Sequence, residues 1–187
     1  MYLALVVAVA GIRLLELRRS QRHTAAMLAR GGIEVGRGHY LWMVALHTAW
    51  LIACPLEVFA LHRPFVPTLG WPMLGLVVAA MALRSWSIIT LGGRWSTRIV
   101  LVSGEPVVRR GPYRRLRHPN YLAVIAELLA LPLVHTAWIT ALAAGLANAW
   151  LLAVRIRTEE AALGRGADYG GAFAHLPRFF GPARGRR

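Results

Sequence analysis

Two apolar runs, Leu41 to Leu61 and Trp71 to Leu91, constrain this chain more than anything else in it. Each is 21 residues long, and at about 1.5 Å per residue a helix of that length crosses the roughly 30 Å hydrocarbon layer of a bilayer. A helix that is apolar all round belongs in a core or a membrane, not on a soluble surface. With 57% hydrophobic residues in 187, against about 45–50% in ordinary soluble domains, the membrane is the expected setting. Tyr2 to Leu17 reads as a first span, although Arg13 and Glu16 lie near its end. Ala8-Val9-Ala10 has the form of a signal-cleavage site, but the apolar stretch before it is short and has no arginine at its start. The stretch from Tyr121 to Val154 is too long for one helix, and Pro132 and His135 mark a break that makes it a hairpin of spans 121–134 and 136–154.

The formal charge is +14, and all 22 basic residues are arginine. A nucleic-acid partner would call for basic and aromatic residues on one polar face, whereas these arginines fall between apolar runs, so no nucleic acid is expected. Cytoplasmic flanks of membrane helices accumulate Arg. Nineteen arginines occupy one alternate set of connections and the carboxyl-terminal segment, while the other set holds only Arg63. That distribution requires an odd number of spans. The expected fold is therefore an all-α integral membrane bundle of five transmembrane helices, amino terminus outside and carboxyl terminus cytoplasmic. A single domain covers 1–187, and its segments 92–121 and 155–180 share the cytoplasmic side. The lone Cys54 forms no disulfide framework or cysteine metal site. His39, His47 and His62 lack ligand spacing, so no metal is expected.

Three constellations could carry chemistry. In Arg109–Val124, "RRGPYRRLRHPNYLAV", Gly111-Pro112 marks a turn and Pro119 suits the first turn of a helix. His118 and Asn120 then sit at the electropositive mouth of the fourth helix. The alternative is an interfacial loop whose arginines meet anionic lipid head groups. In "RIRTEEAAL", Arg155 and Glu159 are four apart and share a helix face with Asn148. As a helix-stabilising pair they are in the poorer order and contribute about 0.2–0.5 kcal/mol. Third, Glu57, Arg84 and Glu127 fall inside spans, where each charge costs about 2.5–3.5 kcal/mol at a helix centre and needs a partner or water. Arg84 paired with Glu57 or Glu127 is one reading; Glu127 in a substrate cavity two turns below Asn120 is the other.

Gly111-Pro112-Tyr113, then Arg117-His118-Pro119-Asn120-Tyr121, a helical hairpin, Arg155-x-x-x-Glu159-Glu160-x-x-Leu163 and a trailing Tyr169 and Phe173 together resemble the isoprenylcysteine carboxyl methyltransferase family. The resemblance covers Arg94 to Phe180, and the amino-terminal part resembles the bacterial branch. It implies an integral membrane enzyme using S-adenosylmethionine, with an acceptor such as a prenylcysteine carboxylate or a lipidic alkylpyrone or alkylresorcinol. His118, Pro119, Asn120 and Tyr121 would wrap the cofactor, helped by Tyr113, by an approach strand Glu105-Pro106-Val107-Val108, and by Arg98 at a position where the family often has an amide. Arg155 would face the substrate, with Glu127 and Asn148 as further substrate contacts, and Glu159 the cofactor or the reacting group. After Leu163 the chain departs from the family pattern, with Gly164-Arg165-Gly166 in place of Phe-Gly.

Arg-His-Pro-x-Tyr also occurs in membrane reductases that bind NADPH, which makes such a reductase a rival. A phospholipid N-methyltransferase is another, and a transporter or structural bundle a third. Methyl transfer from a sulfonium is an in-line displacement, driven mainly by holding donor and acceptor aligned. A carboxylate acceptor needs an arginine to place it, whereas a phenol or enol needs a nearby base.

Overall fold

The computed structural model describes residues 1–166 and 176–179. Five helices follow in order: α1 (Tyr2–Ala29), α2 (Arg37–Ala60), α3 (Pro67–Leu91), α4 (Pro119–Leu133) and α5 (Trp138–Gly166). Among the described residues, α2, α3 and α5 are long and apolar enough to cross a membrane, and α4 is a shorter apolar helix of 15 residues. The expected all-α architecture carries one small addition. Strands β1 (Ile33–Val35) and β2 (Ile99–Leu101) pair antiparallel, with Glu34 opposite Val100.

Two boundaries differ from the sequence reading. The first helix does not stop at Leu17 but continues to Ala29, because 18–29 contains no glycine or proline and is rich in good helix formers. Gly31, at φ +79°, supplies the left-handed residue just beyond its end. Likewise α5 runs past Val154 to Gly166, so Arg155 and Glu159 stand on the same rigid rod as the apolar segment before them. The break between α4 and α5 falls at Val134–Ala137, after Pro132, as expected.

Short α4 forms the centre. Ala123, Leu128, Ala130 and Leu131 are almost wholly buried, whereas α2, α3 and α5 expose large apolar side chains such as Trp42, Phe59, Ile89 and Trp150. Exposed apolar faces on this scale mark a surface made for lipid. Side-chain donors tie the outer helices to the α4 backbone: Trp50 Nε1 donates to the Leu128 carbonyl and the Tyr2 hydroxyl to the Leu131 carbonyl, each at 3.1 Å.

The charges inside the helices find partners other than those expected. Arg84 pairs with neither Glu57 nor Glu127. Its Nε donates to Glu16 at 2.8 Å, while Arg13 pairs with both Glu16 and Glu127. Arg13 and Glu16, three apart on one face of α1, meet Glu127 of α4 and Arg84 of α3, so Arg13 takes up Glu127 and Glu16 takes up Arg84. Glu57 lies at the opposite end, paired with Arg63 at 2.9 Å and accepting the backbone N–H groups of Ile139 and Thr140. Those two amides belong to the first turn of α5, where a helix leaves its N–H groups without intrahelical partners.

Candidate functional site

At the end of the bundle where α1, α3 and α5 finish and α2 and α4 begin lies a cavity of 480 Å³. This falls within the range of about 300–1,000 Å³ typical of small-molecule sites. Its walls come from β2 and the following coil to Val108, the turn at Tyr113, the start of α4 and the end of α5. The segment 105–108 is coil and not the expected strand; the strand lies earlier, at Ile99–Leu101, where no proline interrupts the β1 ladder.

The Gly-Pro-Tyr turn is fixed by the helix behind it. Gly111 has φ +55°, and a Cβ there would lie 2.5 Å from Thr90 Oγ1. Only glycine lets the chain pass this close to the end of α3, and the turn that follows, Gly111–Arg114, places Tyr113 in the cavity wall. Burial pushes the Tyr113 phenol well up, and the Glu159 carboxylate adds to the shift, so it stays neutral and acts only as a hydrogen-bonding group.

His118 is the N-cap residue of α4 and Pro119 its first helical residue. The His118 ring stacks on Tyr121, with centroids 5.2 Å apart, and its Nε2 meets Glu160 Oε1 at 3.1 Å. Segment 176–179 straps this mouth from outside: the amides of Arg117 and His118 donate to the carbonyls of Pro177 and Arg178, and Arg178 also pairs with Glu160.

Tyr121 joins the two candidate chemical groups on α5. Its hydroxyl accepts from Arg155 Nε at 2.7 Å and donates to Glu159. Arg155 is buried, its Nη1 reaches Met43 Sδ at 3.4 Å, and among the described residues no carboxylate pairs with it directly. Asn120, also in the cavity wall, has a buried Oδ1 without a partner among the described residues. A buried guanidinium lacking its own counter-ion, beside an unpartnered amide oxygen, suits a ligand that is partly anionic and partly a hydrogen-bond donor.

The structure thus brings Arg98, Glu105, Pro106, Val107, Val108, Tyr113, His118, Asn120, Tyr121, Arg155 and Glu159 around one cavity. Besides the contacts of His118, Tyr121, Arg155 and Glu159, two of them are held in ion pairs. Glu105 is held by Arg30 at 2.8 Å and Arg94 at 2.9 Å, and Arg98 donates to Glu34 at 3.0 Å while its guanidinium lies over the Tyr40 ring. Pro119, Glu127 and Asn148 are not among the described residues that line the cavity: Pro119 is buried in the α4 turn, Glu127 is tied to Arg13, and Asn148 is buried, its Oδ1 without a partner among the described residues. Tyr169, Phe173 and Phe180 lie outside the described residues. Among the described residues no group of three His, Cys, Asp or Glu could hold a metal ion.

Sequence reasoning missed the amino-terminal contribution. Met27, in the last turn of α1, and Ile33 and Val35, on β1, also line the cavity. A signal existed: Ile33-Glu34-Val35 alternates between Gly32 and Gly36, the pattern of a short strand bounded by turn residues. Glu160, the acceptor for His118, was visible only as the second acid of a pair.

A model of the isoprenylcysteine carboxyl methyltransferase (ICMT) family matches residues 73–165, from within α3 to the end of α5. The chain is 33% identical over 152 residues to the uncharacterized protein YpbQ of Bacillus subtilis (strain 168), covering 81% of this chain and 89% of that one. The chain belongs to the ICMT family. An uncharacterized Haemophilus influenzae protein is 32% identical over 155 residues, covering 81% and 88% of the two chains. ICMT membership implies a membrane methyltransferase, and the matched region contains the turn, the mouth of α4 and the Arg155–Tyr121–Glu159 chain.

Proposed function

We propose that this protein transfers a methyl group from S-adenosylmethionine to an oxygen of a lipid-like acceptor, either a prenylcysteine carboxylate or an alkylated phenol or pyrone. In this reading five helices span a bacterial inner membrane with the amino terminus outside, and the cavity faces the cytoplasm. The observation that carries it is the Arg155–Tyr121–Glu159 chain in the wall of a cavity at the basic end of an apolar bundle.

The residues present fit the cofactor. Asn120 offers an orphaned buried oxygen to a hydroxyl or amino donor, Val107 and Leu163 offer an apolar wall, and Glu159 offers a carboxylate to a cationic ligand. His118, Tyr121 and Tyr113 line the wall that would hold it, and Pro119 starts the helix turn that carries the first two. When bound, the sulfonium supplies an electrophilic methyl group. Arg155 positions an anionic acceptor oxygen, since its planar fork matches a carboxylate or enolate. Glu159 accepts the proton of a phenolic or enolic acceptor. Tyr121 holds both in register, and the apolar surround excludes water. Asn148, two turns below Arg155 on the same face, is buried outside the cavity wall and has no acceptor contact in this reading. Glu127, engaged by Arg13, serves the bundle.

A phospholipid amine, protonated at neutral pH, would have to approach the Arg155 cation, which disfavours N-methylation. To test the reading, detergent-solubilised protein is titrated with S-adenosylmethionine and with NADPH by isothermal calorimetry. Membranes are then incubated with methyl-labelled cofactor and a panel of prenylcysteines, alkylresorcinols and phospholipid amines. Binding of S-adenosylmethionine and label in an oxygen acceptor are expected. NADPH binding without S-adenosylmethionine binding would make the protein a reductase and end the proposal.

A further inference from the structure

Helix α1 lies wholly outside the region matched to the family, yet it carries a second concavity. Leu15, Arg18, Arg19 and Arg22 follow at intervals of three, four and seven, so they form one stripe. With His23 they line a shallow surface groove of 500 Å³. Arg18, Arg19 and Arg22 are exposed, and among the described residues none pairs with a carboxylate. Around β1 and β2, by contrast, charges are used up in pairs: Arg30 and Arg94 share Glu105, and Arg37 and Arg98 share Glu34. Three unopposed cations on one face of one helix are an electrostatic demand that the protein itself leaves unmet.

The height of the stripe says what can meet it. On the inner face of the same turn, Ser20 Oγ meets Thr97 Oγ1 at 2.9 Å, Thr24 Oγ1 meets Ser96 Oγ at 2.7 Å, and His23 Nδ1 meets the Trp95 carbonyl at 2.9 Å. These contacts set Arg18–His23 level with the chain just after α3 ends at Leu91, which is where an apolar helix leaves the hydrocarbon layer. Toward the bundle interior the outer face of α1 becomes apolar and exposed, with Leu15 at 64% and Leu14 at 61%. A groove with cations at head-group depth and bare hydrocarbon beneath them has the profile of a phospholipid.

We propose that the outer face of α1 between Leu15 and His23 binds one anionic phospholipid, its phosphate between Arg18, Arg19 and Arg22 and an acyl chain along Leu15. Occupancy presses Ser20 and Thr24 onto the Ser96–Thr97 segment, and Trp95 and Ser96 are themselves part of the wall of the larger cavity. The site is independent of which cofactor or acceptor that cavity takes.

The test is native mass spectrometry of the full chain in detergent, offered dioleoylphosphatidylglycerol or dioleoylphosphatidylcholine. Each arginine at an anionic head group is worth about a factor of five, so the first bound phosphatidylglycerol should be held at least about tenfold more tightly than phosphatidylcholine. R18Q/R19Q/R22Q should lose that preference, and R114Q/R115Q, which removes two exposed arginines elsewhere, should keep it. If the triple variant retains the preference, or the control loses it equally, the effect is diffuse charge and the site does not exist. Inorganic phosphate at the lipid's concentration should not displace the lipid; if it does, the groove is a free-phosphate site and the lipid assignment falls. Should the triple variant not fold, photoreactive phosphatidylglycerol is crosslinked to the wild-type protein. Adducts within 15–23 uphold the proposal, and adducts only elsewhere overturn it.

Discussion

Arg13 and Glu127 meet directly inside the bundle, whereas Arg155 and Glu159, near its basic end, are joined only through the Tyr121 hydroxyl. Both sets are buried or nearly so and both use the same residue types. In the first, two arginines and two carboxylates, Arg13, Glu16, Arg84 and Glu127, close into a neutral quartet linking α1, α3 and α4. In the second, a tyrosine separates cation from anion and both face a cavity. The difference is between charge that is consumed by the fold and charge that is kept available. A direct pair neutralises its members and leaves little charge for a ligand, even though Glu127 Oε1 has no hydrogen-bond partner among the described residues. A pair spaced by a hydroxyl is oriented without being neutralised.

The largest effect should come from opening the closed set. Replacing Glu127 by Ala strips Arg13 of one of its two partners inside an apolar bundle, and breaking a buried pair typically costs about 3–5 kcal/mol. Because Glu16 still meets Arg13, the lower end of that range is expected, read as a fall in thermal stability in detergent. Replacing Arg13 and Glu127 together by Leu leaves the neutral Glu16–Arg84 pair and should recover most of the loss. A double variant as unstable as the single would show that the quartet does not act by charge balance.

In the open set the effect should move from stability to turnover. Glu159→Gln keeps the shape and the contact to Tyr121 but removes the base, and loss of a general base typically costs about 10²–10⁴-fold in rate. For a phenolic or enolic acceptor that loss should be seen with the thermal midpoint unchanged. With a carboxylate acceptor, already ionised, the loss should be much smaller, so the two acceptor classes are told apart by one substitution. Unchanged turnover on every acceptor would remove Glu159 from the chemistry.

The same contrast explains what could be read from the chain alone. The apolar runs, the hairpin break near Pro132 and the Arg155–Glu159 spacing are local patterns, and helix geometry turns them into structure directly. Ion-pair choice is not local. Arg84 could have met either of two carboxylates on neighbouring helices; it meets Glu16 instead, on a helix far away in sequence. The cavity roof was hidden for a similar reason: β1 is three residues long, and only pairing with Ile99–Leu101, far away in sequence, brings Ile33 and Val35 to the wall. Tyr121 was visible as a motif residue, but its position between Arg155 and Glu159 depends on how α4 packs against α5.

Tyr121→Phe removes the spacer hydroxyl while keeping the ring that stacks on His118. Arg155 Nε loses its acceptor and Glu159 loses a donor, and leaving a buried polar group unpaired typically costs about 1–3 kcal/mol. Part of that should show as destabilisation and part as a fall in turnover at saturating cofactor, because Arg155 and Glu159 are then free to approach each other. If they collapse into a direct pair, the open set has become a closed one, and cofactor binding measured by calorimetry should weaken as well. Full activity in the Phe variant would mean that the spacing is held by the helices alone.

The smallest effect is expected at Arg98, which lines the cavity but already donates to Glu34 and lies 4.6 Å over the Tyr40 ring. Its side chain is 41% exposed, and exposed ion pairs contribute about 0–1 kcal/mol. Arg98→Gln should therefore shift the thermal midpoint only slightly and change cofactor affinity by less than about fivefold, with amide hydrogen exchange rising in Ile33–Val35 as the β1–β2 pairing loosens. The amide is also a sharp probe of the comparison between the two charge sets. A tenfold or larger loss of affinity, about 1.4 kcal/mol, with no change in exchange, would place Arg98 with Arg155 among the charges held ready for a ligand. A change in exchange with affinity intact would place it with Arg13 and Glu127, among the charges the fold consumes.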